Sequence, residues 1–94
     1  MSMTFYRQPT PTPVRRQALA RLFGKSIEIT REARGRSLEE AAGLAGMESS
    51  QWAAIEAGHV PGDPAQLRSI AAALEFRYEQ ILQLAWLCRE AWEQ

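Results

Sequence analysis

The sequence predicts an all-α domain of five helices preceded by an extended N-terminal arm. Three observations carry that expectation. Apolar residues recur at three- and four-residue intervals, polar cap residues stand where those runs begin, and β-branched residues never alternate over a useful length. Ninety-four residues suit one small domain, and a hydrophobic share of 46% is ample for its core.

The opening "MSMTFYRQPTPTP" has prolines at 9, 11 and 13 and no helical periodicity, so residues 1–13 read as a polyproline-like arm. Thr12 and Pro13 have the character of an N-cap and a first helical residue. Leu19, Leu22, Phe23 and Ile27 then mark helix 1, from Val14 to Arg34, until "ARGRS" breaks the run. Ser37 and Glu40 have capping-box spacing and start a short helix 2 that ends at Gly46. Helix 3 spans about Ser49 to Ala57 and is closed by Gly58. "HVPGDP" is a loop, and Asp63, Pro64 and Gln66 repeat the cap logic for helix 4, "PAQLRSIAAALEF". A last helix runs from Tyr78 to Trp92. The chain thus divides into the arm, a helical domain over 14–76, and a C-terminal element over 77–94.

The net charge of zero hides a polarity. Residues 1–36 hold eight Arg or Lys and two Glu, which is +6, whereas residues 37–94 hold three Arg and nine Asp or Glu, which is −6. A basic first third fits a nucleic-acid partner, and it equally fits attraction between the two halves, within one chain or across a dimer. The single cysteine, Cys88, sits in an apolar run and reads as a core residue. His59 reads as a loop residue, and a lone histidine makes no metal site. There is no phosphate-cradling glycine loop and no catalytic constellation, so no enzyme, metal or cofactor is expected. No apolar run approaches the roughly 20 residues of a membrane helix, and no signal-peptide pattern is present, which points to the cytoplasm.

Residues 37–58 are the informative stretch. Ala42 is small enough for two steeply crossing helices to approach, and Gly46 can take the positive φ that a tight turn demands. Met47, Trp52 and Ile55 give the second helix its apolar side. The pattern is a helix-turn-helix. With "FGKSIEITREARGRSLEEAAGLAGM", "IEAG" and "LRSIAAAL" in register, the chain resembles the Xre-type family, the helix-turn-helix domains of phage repressors and Cro, over about 23–82. The resemblance implies a five-helix, repressor-like domain whose third helix enters the DNA major groove. It also implies an ion pair between Arg31 in helix 1 and Glu56 at the end of helix 3.

The surface departs from the family's pattern. Leu38 stands where glutamine usually opens helix 2, and Glu48 where a Ser or Thr caps helix 3. The reading positions are Ser49, Ser50, Gln51, Ala53 and Ala54, with no arginine to read guanine. Gln51 suits adenine, and the serines suit phosphate or a base edge. Charge for phosphates must then come from Arg34 and Arg36 beside helix 2, or from Arg7, Arg15 and Arg16 at the arm. Phe5 and Tyr6 suit docking on a neighbouring chain. Trp52 reads as core, its bulk offset by Ala41.

In the last helix Ile81, Leu82, Ala85 and Trp92 lie on one side, and Leu84, Leu87, Cys88 and Ala91 continue around the other. So wide an apolar arc implies a second chain, and a homodimer is expected. Two functions fit: a small DNA-binding transcriptional regulator, or a degenerate helix-turn-helix used for protein interaction or dimerisation. The sequence names neither an operator nor an effector.

Overall fold

In the computed structural model the described residues are 13–92. They form α1 (Pro13–Ala33), α2 (Leu38–Leu44), α3 (Ser49–Glu56), α4 (Pro64–Leu74) and α5 (Tyr78–Trp92), with no strand among them. Pro13 opens α1, and the remainder of the expected arm, with Phe5, Tyr6 and Arg7, lies outside the described residues. Among the described residues no helix is long and apolar enough to cross a membrane.

Each boundary has a local cause. Ser37 Oγ accepts the Glu40 amide at 3.0 Å, while Glu40 Oε1 accepts the Ser37 amide at 2.8 Å, so two exposed donors at the head of α2 are satisfied reciprocally. Replacing Ser37 by alanine removes half of this box and is expected to cost about 1 kcal/mol, read as a lower urea midpoint with an unchanged slope. Asp63 Oδ1 accepts the Ala65 amide at 2.9 Å and Pro64 supplies the first residue of α4. Arg77 starts α5 by donating its amide to Gln80 Oε1 at 2.8 Å.

Helix 4 is shorter than its sequence suggests. It stops at Leu74 rather than Phe76, and Glu75 takes a left-handed conformation at φ 56°. No glycine announces that stop. It is imposed from the α1–α2 turn, where Arg34 Nε donates to the Leu74 carbonyl at 2.7 Å and Arg36 Nε to the Ala73 carbonyl at 3.0 Å. Arg34 Nη2 adds a bond to the Glu75 carbonyl at 3.0 Å, and Arg36 Nη2 meets Glu75 Oε2 at 2.8 Å. Two guanidiniums thus occupy the carbonyls that any helix leaves unpaired at its end.

One core unites all five helices. Phe23, Ile27, Trp52, Ile70 and Leu74 are fully buried, joined by Ala41, Ala42, Ile55, Leu84 and Leu87. α1 packs against α5 and α3, and α2 against α3 and α4. Trp52 and Ala41 share this cluster, a large residue filling volume that a small one leaves. Leu22 does not join it: one residue along from Phe23 it is turned about 100° away, and it is 53% exposed.

Candidate nucleic-acid interface

The helix-turn-helix is built on the turn at Gly46. Gly46 adopts φ 70°, which lets the Met47 amide bond back to the Ala42 carbonyl at 2.9 Å and ends α2 after Ala45. The chain then enters α3 at an angle. Trp52 and Ile55 point into the core, so Ser49, Ser50, Gln51 and Ala53 are left on the exposed side. The structure therefore brings the three polar candidates Ser49, Ser50 and Gln51 together on one exposed turn. Gln51 is not idle there, because its Oε1 accepts the Glu48 amide at 3.0 Å.

The far end of α3 is clamped. Arg31 Nε donates to Glu56 Oε2 at 2.6 Å, and Arg31 Nη2 donates to Glu56 Oε1 at 3.2 Å, a two-pronged contact between guanidinium and carboxylate. The two side chains are 12% and 9% exposed. Trp52 Nε1 donates to the same carboxylate at 2.7 Å, and Arg31 Nη1 reaches the Arg36 carbonyl at 3.0 Å. The hydrogen bond to Glu56, with its charge, raises the Arg31 pKa above an already high value against the opposing effect of burial, so the guanidinium stays charged.

Beside this clamp is a close approach that sequence reasoning does not find. At Gly24, in the middle of α1, an added Cβ would stand 2.5 Å from the Glu56 carbonyl oxygen and 2.6 Å from that of Ile55. Only a glycine lets α1 and the last turn of α3 lie this close. The one signal available is an isolated glycine inside a 21-residue helix.

The basic candidates are dispersed. Arg34 and Arg36 sit at the C-terminus of α4, with Nε and Nη2 of each engaged as described above. Arg15 is exposed and Arg16 half-buried in the first turn of α1, roughly 12–14 Å along the axis from Gly24. Between 37 and 63 the chain has Glu39, Glu40, Glu48, Glu56 and Asp63 but no Lys or Arg. Three of those carboxylates are occupied, by the Ser37 amide, by Arg31 with Trp52, and by the Ala65 amide. Among the described residues only Glu56 of the five has a cationic partner, so the exposed face of the unit carries a net negative formal charge. His59 follows α3 and lines a shallow recess with Gln51 and Ala54.

Among the described residues no three His, Cys, Asp or Glu side chains converge to hold a metal ion. The half-buried Cys88 thiol donates to the Pro61 carbonyl at 3.4 Å, and burial pushes its pKa up to about 11, so it remains protonated near neutrality.

No curated protein and no solved structure matches the chain. A family model for the helix-turn-helix domain matches residues 22–84, from the middle of α1 into α5. That span is 63 of the 94 residues and takes in the whole α2–turn–α3 unit, so the chain belongs to the helix-turn-helix domain family, broadly one of DNA-binding regulators.

Proposed function

We propose that this protein is a sequence-specific transcriptional regulator of the Xre type, working in the cytoplasm as a homodimer on double-stranded DNA. The observation that carries the reading is the exposed turn of Ser49, Ser50 and Gln51 on a helix anchored at its opposite end through Glu56. Inserted in a major groove, that turn sets two hydroxyls and one amide at the base edges and phosphates. Gln51 reads adenine by exchanging its bond to the Glu48 amide for the base, and Ala53 offers a methyl to thymine. Arg15 and Arg16 supply phosphate contacts, with the residues before them reaching along the groove. Arg34 and Arg36 have Nε and Nη2 committed to the end of α4, which leaves Nη1 of each to donate to phosphate.

A second reading has its own support. A unit with no Lys or Arg between 37 and 63, and with its best reading amide tied to backbone, suits an interaction module that no longer reads DNA. Fold alone does not choose between them. Titrating the protein with random duplex and with DNA from upstream of its own gene, across salt, does choose. The regulator binds its own DNA more tightly, with log affinity falling steeply against log salt. In R15E/R16E the slope becomes shallower by roughly 0.9 for each phosphate that is no longer neutralised, with the fold intact. Unchanged affinity in that variant removes these arginines from the mechanism, and no binding to either DNA at low salt leaves the interaction module.

A further inference from the structure

The inner side of α5 is spent on the core, through Leu84 and Leu87. Its outer side is not. Tyr78 is 72% exposed, Leu82 52% and Trp86 46%. Along that side Glu79, Leu82, Trp86 and Arg89 follow one another at intervals of three, four and three, the spacing that places helical side chains in a single seam. Glu79 and Arg89 take no part in the ion pairs among the described residues, which join Lys25 to Glu28, Arg31 to Glu56 and Arg36 to Glu75.

A three–four–three spacing reads the same in both directions. Half a turn about an axis at the level of Leu84 therefore lays Leu82 against Trp86 of a second copy, and Glu79 against its Arg89, each pairing occurring twice. We propose that this seam is a twofold, antiparallel self-association surface whose partner is a second copy of the chain. It is the surface of the homodimer in the preceding reading and depends on that reading for its use in gene control. Charge selects both the partner and the direction. Parallel pairing would set Glu79 on Glu79 and Arg89 on Arg89, whereas the order acid, leucine, tryptophan, base is complementary to its own reverse. From Glu79 to Arg89 the seam is only about 15 Å long. It buries less than the roughly 800 Å² per partner of a standard interface, so association depends on concentration and strengthens when DNA holds two copies side by side.

Sedimentation velocity of the full chain without DNA, from low to high micromolar, tests the seam. The expected result is a monomer–dimer equilibrium that weakens with salt. E79R and R89E, each setting like charges face to face, weaken it roughly tenfold, and the double swap E79R/R89E recovers most of the loss. L82E abolishes the dimer, while F5A/Y6A leaves it unchanged, with circular dichroism verifying that every variant is folded. A chain that stays monomeric throughout, a double swap that fails to recover, or a dimer lost in F5A/Y6A but kept in L82E overturns the proposal, the last by making the N-terminal segment the occupant. Rescue by the double swap in a protein that binds no DNA keeps the seam and removes the regulator reading. DNA binding by a strictly monomeric chain does the reverse.

Discussion

Replacing Glu56 by alanine is expected to destabilise the protein by about 3–5 kcal/mol, the usual cost of stranding one partner of a buried ion pair. The carboxylate is 9% exposed and accepts from both Arg31 and Trp52, so its loss leaves a guanidinium and an indole N–H without their acceptor in a site that water barely reaches. Arg31→Ala strands the carboxylate instead and belongs to the same range, softened by the surviving indole bond. A domain of this size has a total stability of about 5–15 kcal/mol, so either variant loses a large share of it. Removing both charges together in R31M/E56L is expected to cost much less than the sum of the single losses, because apolar groups of similar volume fill the site and no charge is left behind. Urea unfolding of the wild type, R31M, E56L and R31M/E56L checks this as a double-mutant cycle. Single losses below about 1 kcal/mol would place the pair among ordinary surface ion pairs.

The second large effect is at Gly24. Alanine in a helix ordinarily gains roughly 0.5–1 kcal/mol over glycine. At Gly43 in α2, where an added Cβ meets nothing within 4 Å, that gain is expected in full. At Gly24 the same methyl would stand 2.5 Å from a backbone oxygen, and a helix end cannot swing aside as a flexible side chain can. G24A is therefore expected to lose about 1–3 kcal/mol net of the propensity gain. Thermal unfolding of G24A and G43A side by side gives opposite signs if the close approach of α1 to α3 is real. A stabilised G24A would show that the two helices stand further apart.

What can be read from the sequence is what neighbours decide. Ser37 with Glu40, Gly46 at its turn, and Asp63 before Pro64 act within four residues of themselves, so α2, α3 and the start of α4 are legible. The end of α4 is not, since it is set by Arg34 and Arg36 from about forty positions away and by a glutamate in a conformation that favours glycine. Those two arginines look like charge available to a ligand because a sequence shows sign but not what a guanidinium faces. The pairing of Arg31 with Glu56 comes from the family resemblance. The indole bond from Trp52 to the same carboxylate has only the four-residue spacing of the two on α3 as its sequence signal. On α5 the apolar arc is visible, but its division into a buried side at Leu84 and Leu87 and an open one at Leu82 and Trp86 requires the position of α1.

The attachment of α3 at its last turn has one further consequence. Through Gly24 and Arg31 the last turn of the helix is fastened to α1, while Trp52 and the packing of α2 hold its first half. A tilt at that contact is passed on to the exposed turn that carries the serines, so changes buried on the inner side of α1 can alter that surface without touching it.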